Sequence, residues 1–206
     1  MPSLITLHSV IWDSPQFNYP GGYLGAKLAD GLACPLIFQI AEDLRRTFPR
    51  IIKDHRLYQL WAYNYDSRLT GIYIPAALAA VNGNFWITPD QANLNSNSGG
   101  LVVYKEKAPL DWAFDLYNSD KADSQRRIRD FLAEGDGGKL VVPYAENRIV
   151  MFNSDLFHES DAIDFKPGYE NRRTNITLLF GNRLCSPAGG GARRRPFLAL
   201  YFSAPM

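Results

Sequence analysis

Between residues 35 and 48 the apolar positions recur at helical spacing. Leu36, Ile37, Ile40, Ala41 and Leu44 share one stripe and Glu42, Asp43, Arg45 and Arg46 lie opposite, which predicts an amphipathic helix stopped by Pro49. A second, shorter helix is expected over residues 124–133, with Ile128, Phe131 and Leu132 on its apolar side and Gly135-Asp136-Gly137-Gly138 ending it. Elsewhere the period shortens. Runs at 58–65, 72–87, 100–104, 140–142, 148–153 and 173–180 are rich in β-branched and aromatic residues and are parted by turn residues, so they read as strands. Residues 20–25, Pro-Gly-Gly-Tyr-Leu-Gly, read as a turn. Beyond Gly181 the chain becomes Gly-, Pro- and Arg-rich, and residues 197–202 offer either one last strand or a tail of little functional content. Helix and strand do not alternate, which disfavours a parallel α/β sheet. The pattern predicts a mainly β fold with flanking helices, a sandwich or jelly roll. It also predicts a single domain over residues 1–181 and an extension over 182–206 to which no role is assigned.

Composition narrows the picture. A chain of 206 residues suits one well-buried core, and 46% hydrophobic with 21% charged residues lies in the globular range. The net charge of +1 creates no overall field to recruit nucleic acid or an anionic membrane, and neither is expected as a partner. The one dense basic run, Arg193-Arg194-Arg195, follows a glycine stretch without interleaved aromatics and reads as a solvated loop. Cys34 and Cys185 have no metal-type spacing, as is usual in a reduced compartment. No run approaches the roughly 18 apolar residues of a membrane span, and the N-terminus lacks the pattern of a signal peptide. A cytoplasmic location is expected, and no protein partner is identified.

Candidate chemistry is sparse. Of three histidines, His8 sits beside apolar residues and His55 in a charged turn, both as structural side chains. His158 follows a strand and precedes a loop that leads to Arg172-Arg173, so the chain delivers it to a sheet edge. Strand alternation from 172 to 180 sets Arg173, Asn175 and Thr177 on one face and Arg172, Thr174 and Ile176 on the other, so one arginine points inward. An inward guanidinium suits a bidentate carboxylate, either an internal Asp or Glu or a bound small molecule. The glycine runs lack the context of a phosphate loop, and there is no serine elbow. The carboxylates near His158, Asp155, Glu159, Asp161 and Asp164, fit a charge-rich loop.

Longer stretches carry a resemblance. The segments GGYLGAKLADGLACPLIFQIAEDLRRTFP, LWAYNYDSRLTGIYIPAALAAVNGNFWITPDQANLNSNSGGLVVY, Trp112 and VPYAENRIVMFNSDLFHESDAIDFKPGYENRRTNITLLFG are similar, in order and content, to a bacterial-type subgroup of the 2-oxoglutarate- and Fe(II)-dependent oxygenases. The similarity runs from about Gly21 to Gly181. It implies a double-stranded β-helix, a cupin-like jelly roll, whose mouth binds iron through a His-X-Asp pair on one strand and a distal histidine on another. The family's cofactors are Fe(II) and 2-oxoglutarate. On this resemblance the distal histidine maps onto His158, the arginine that pairs with 2-oxoglutarate onto Arg173, and a tyrosine near the cosubstrate onto Tyr65 or its neighbour Tyr63.

The His-X-Asp positions fall on Pro75 and Ala77. Residues i and i+2 of a strand project to one side, so the spacing survives while both donors are gone. Tyr73, Asp66 and Asp90 are in range by sequence but near the ends of the run. His158 is then the sole surviving ligand, and no cofactor is expected to bind tightly. Pro75, which cannot donate to a ladder, also predicts an irregular or edge strand. The leading expectation is a pseudoenzyme of this family whose pocket binds a small carboxylate or a partner. The alternatives are an active dioxygenase with unrecognised ligands, a metal-independent enzyme using His158 as acid or base, and an interaction domain in which Arg173 is paired internally.

Overall fold

A computed structural model describes residues 23–28, 32–52, 54–69, 74–182 and 199–203. Among them, strands β1 (Tyr23–Lys27), β2 (Leu57–Tyr65), β4 (Val81–Trp86), β7 (Arg148–Asn153), β10 (Thr174–Phe180) and β11 (Ala199–Ser203) form an antiparallel sheet in the order β1-β2-β10-β4-β7-β11. Strands β5 (Leu101–Lys107), β6 (Lys139–Val142) and β8 (Leu156–Ser160) form a smaller one, β6-β5-β8, and β3 (Arg68–Leu69) pairs with β9 (Ile163–Asp164). The two larger sheets make a double-stranded β-helix, mainly β with helical flanks.

Helix α1 (Pro35–Thr47) covers one face of the large sheet, with helix α2 (Phe114–Tyr117) and helix α3 (Ala122–Glu134) behind the small one. Proline at the start of α1 supplies a pre-set φ where no N–H partner is required. Ile37 and Ala41 from its apolar stripe pack on Leu60, Ala62, Ile176, Leu178 and Phe180. Truncating a buried aliphatic such as Ile37 to alanine costs about 2–5 kcal/mol. Between the sheets lies a second cluster that includes Trp86, Leu101, Val103, Val150 and Phe152. A third, with Ile74, Ala76, Ile128 and Phe157, glues α3 to the outer face of the small sheet. Strand β10 is therefore buried on both faces: Ile176, Leu178 and Phe180 meet α1, and Asn175, Thr177 and Leu179 face the interior.

Three local expectations change. The run 72–87 is not one strand, because residues 74–80 are irregular and only Val81–Trp86 is extended ladder. Pro75 has no N–H, and the following amides turn elsewhere, Ala76 to the Tyr117 carbonyl at 3.2 Å and Ala77 to that of Ser154 at 2.8 Å. Residues 23–25, the last part of the turn expected over 20–25, instead begin β1; a Cβ on Gly25 would lie 3.1 Å from the Tyr63 ring, so glycine lets β1 close on β2. His158 stands within a strand, β8, rather than at the end of one: its partner strand is β5, with Val103 opposite His158. The last strand, β11, pairs with β7 from Ala199↔Phe152 to Ser203↔Arg148. His8 and Cys185 lie outside the described residues. Among those residues, no helix is long and apolar enough to cross a membrane.

Candidate functional site

A cavity of about 350 Å³ opens between the two sheets. Its first wall is aromatic. Alternation along β2 turns Trp61, Tyr63 and Tyr65 to the interior, and β1 adds Tyr23. Their ring centroids stand 4.6 Å (Tyr23 and Tyr63), 6.0 Å (Tyr63 and Tyr65) and 6.2 Å (Trp61 and Tyr63) apart, with interplanar angles of 61°, 75° and 45°. Tyr65 is buried, and the loss of hydration raises its pKa against the opposing pull of the nearby Arg173 charge.

The floor is polar. β4 contributes Asn82 and Asn84, and β10 contributes Asn175 and Thr177. Asn84 Nδ2 donates to Asn82 Oδ1 at 2.8 Å, and Asn175 Nδ2 donates to Asn84 Oδ1 at 3.2 Å and Thr177 Oγ1 at 3.1 Å. The sequence places Asn175 and Thr177 on the face of Arg173, whereas Asn82 and Asn84 are passed over. Their signal was available as amides two positions apart in an otherwise apolar strand, since a buried amide must find partners.

At one side of the cavity Pro75, Ala77 and His158 come together, and all three line it. The His158 amide donates to the Pro75 carbonyl at 3.1 Å, so the irregular segment 74–77 runs beside β8. The imidazole is held by its Nδ1 against the Leu156 carbonyl at 3.0 Å and lies edge-on to Phe152, with ring centres 4.8 Å apart. Burial lowers its pKa from 6.5 to about 4, the hydrogen bond to Leu156 opposing. The ring is neutral at pH 7. Proline and alanine offer no side-chain donor atom, and among the described residues no three His, Cys, Asp or Glu side chains converge. Asp66 is paired with Arg172 at 2.9 Å, and Asp90 accepts the Glu146 amide at 2.6 Å, neither of them lining the cavity. Among the described residues, the side chains at this wall thus do not fit a three-ligand Fe(II) centre.

Of the two arginines, one of which the alternation turns inward, it is Arg173 that is buried, at 1% exposed. Among the described residues no carboxylate pairs with it. Nε donates to the Gly99 carbonyl at 2.5 Å, Nη2 to that of Gly100 at 3.1 Å and Nη1 to Asn175 Oδ1 at 3.1 Å. The guanidinium carbon stands 5.0 Å from the Tyr65 ring centre and 5.6 Å from that of Trp86, whose other neighbour is the stacked Tyr144. Burial lowers its pKa from the usual value, and a guanidinium nonetheless stays charged. Arg173 does not itself line the cavity, whereas Tyr65 and Asn175, which touch it, do. Arg172 faces the opposite way and pairs with Asp66 at the surface. His55, remote from the cavity, packs so closely against Gly181 that its ring leaves no room for a Cβ, and the Gly181 φ of 66° is one that glycine adopts without strain.

No protein-family model and no curated protein matches the chain. Solved structures do. HygX from Streptomyces hygroscopicus, with nickel and 2-oxoglutarate bound, aligns at a TM-score of 0.56 and 12% identity over 88% of this chain and 78% of its own. The non-heme alpha ketoglutarate dependent epimerase SnoN from nogalamycin biosynthesis aligns at 0.54 and 10% identity over 96% of this chain and 84% of its own. SnoN in complex with Fe3+, alpha ketoglutarate and nogalamycin RO gives 0.55 and 12% over the same shares. At such identities the likeness concerns architecture: the chain has the double-stranded β-helix of 2-oxoglutarate-dependent non-heme iron enzymes.

Proposed function

We propose that this protein is a non-oxygenating, ligand-binding member of the 2-oxoglutarate oxygenase group, a pseudoenzyme in which the pocket has outlived the metal centre. One observation carries the reading. The residues on which the family's ligands map, Pro75, Ala77 and His158, sit together on one cavity wall, yet only His158 offers a donor. A single neutral imidazole cannot seat an Fe(II) ion. Losing an outer partner of a metal ligand already costs about 10–100-fold in affinity, and losing two ligands outright costs far more.

Anaerobic calorimetry with Mn(II) or Fe(II) and 2-oxoglutarate tests this. No saturable metal binding is expected at micromolar concentrations, and micromolar or tighter binding would overturn the reading. Pro75→His combined with Ala77→Asp rebuilds the donor set on the same wall and is expected to create a metal site and 2-oxoglutarate turnover. Failure of that variant to bind any metal would refute the mapping.

A second reading places a small carboxylate at the Arg173 end. It is favoured by a buried guanidinium that has carbonyl and amide partners but no Asp or Glu partner among the described residues. The carboxylate would have to enter past Tyr65 and Asn175. Heat or thermal stabilisation from 2-oxoglutarate in the presence of EDTA would support it, and silence at about 1 mM would discard it.

A further inference from the structure

The cavity is unevenly built, and the imbalance bears on what it holds. Its aromatic wall is only half-buried at Tyr23, Trp61 and Tyr63, so these rings keep surface to offer. They are tilted or edge-on to one another rather than coplanar, which presents both ring edges and ring faces to a guest. Aromatic partners prefer such offset and edge-to-face arrangements. Opposite in chemistry, Pro75 and Ala77 supply apolar surface where polar ligands would otherwise stand.

The floor adds direction. Asn82 spends its carbonyl oxygen on Asn84, which leaves its amide N–H groups to the cavity. Asn175 uses its own amide nitrogen on Asn84 and Thr177, so the network is braced from behind. The lining holds no Lys, Arg or Asp, and its one acid, Glu159, accepts the Tyr104 hydroxyl at 2.5 Å. An anionic guest would be stripped of water beside that carboxylate with no cationic side chain in the lining. The volume of about 350 Å³ lies within the usual span of small-molecule sites.

We propose that the cavity binds an uncharged, flat aromatic molecule bearing hydroxyl or carbonyl oxygens, its rings set among Trp61, Tyr63 and Tyr23 and an oxygen met by the Asn82 amide. This deepens the non-oxygenating reading and rests on it, because the guest takes up the apolar space beside Pro75 and Ala77.

The test uses three probes of one shape on the whole chain in EDTA: 2-naphthol, its saturated counterpart decahydro-2-naphthol, and the anion 2-naphthoate. Binding is followed by calorimetry and by saturation-transfer NMR. Saturable 2-naphthol binding is expected at or below about 1 mM, with the other two at least about tenfold weaker. Trp61→Leu and Tyr63→Leu, checked for fold by circular dichroism, are each expected to weaken 2-naphthol about tenfold. The proposal is overturned if 2-naphthol fails to saturate, if the saturated alcohol or the anion binds as well, or if both leucine variants keep full affinity. The probe comparison on the unmodified protein decides the matter even where a variant does not fold. Tight Fe(II) binding in the separate metal titration would sink the non-oxygenating reading and leave the naphthol result standing, whereas no metal and no naphthol binding would sink only the aromatic-ligand proposal.

Discussion

Arg172 and Arg173 are neighbours in the chain with opposite fates, and truncating each in turn isolates what burial does to a charge. Arg173→Ala removes the donors from the Gly99 and Gly100 carbonyls and from Asn175 Oδ1, all on buried residues. An acceptor orphaned in the interior costs about 1–3 kcal/mol, so three such losses near the low end give about 4 kcal/mol. Release of the guanidinium's own desolvation offsets part of this, while the void between Tyr65 and Trp86 adds to it. The total agrees with the roughly 3–5 kcal/mol typical of breaking a buried charged network from one side. Arg172→Ala loses one partly exposed ion pair with Asp66, worth about 0.2–1 kcal/mol. With a urea m-value of about 2–3 kcal/mol per molar, the midpoint should fall by about 1.5–2 M for Arg173→Ala and by less than about 0.4 M for Arg172→Ala. Equal shifts for the two variants would refute the assignment of Arg173 as a bracing group.

Three further outcomes follow from the same coordinates. A Cβ on Gly100 would sit inside the carbonyl oxygen of Val142 and 2.8 Å from the carbonyl carbon of Pro143, so Gly100→Ala is expected to part β5 from β6. Its cost should exceed about 3 kcal/mol, read as a lowered Tm or a loss of soluble protein. Thr88 accepts the Thr174 amide at 2.9 Å and donates to the Arg172 carbonyl at 2.7 Å; Thr88→Val keeps the shape, orphans the Thr174 amide, leaves the Arg172 carbonyl only the Thr174 hydroxyl at 3.3 Å, and should cost about 1–3 kcal/mol in urea unfolding. His158, at about 4 in the folded chain and 6.5 as its ordinary value, is neutral when folded while the unfolded chain takes up a proton between those two pH values. Stability from this group is therefore present above pH 6.5 and lost as pH falls towards 4, by no more than about 3 kcal/mol in metal-free protein. His158→Gln should flatten that part of the profile, and an unchanged slope would contradict the burial.

What the sequence discloses tracks how local the cause is. The helix at α1 and the strand Arg148–Asn153 are legible because their patterns are self-contained, one at helical period and one a short apolar run between turns. The β10 alternation requires one of Arg172 and Arg173 to point inward, and Arg173 does. It cannot say what waits there, because Gly99 and Gly100 lie 74 and 73 residues away in the chain. Strand β8 escapes notice since His158, Glu159 and Ser160 dress a strand in loop-like polarity, and its extended form is imposed by pairing with β5. At Pro75 two signals compete: the apolar run suggests one long strand while the missing N–H predicts an irregularity, and residues 74–80 are irregular. The aromatic wall and the amide floor come from four strands distant in sequence, so only the folded sheets bring them face to face.

The strand Ala199–Ser203 hems the sheet. By pairing with β7 it converts what would be a bare row of peptide groups into an internal rung, leaving β1 and itself as the outer strands. A chain cut after Gly181 would uncover that row beside Ile149 and Met151 and present a template on which another extended segment could zip. The stretch after the domain's apparent end thus guards against self-association, and shortened versions are expected to run as larger species in size-exclusion chromatography.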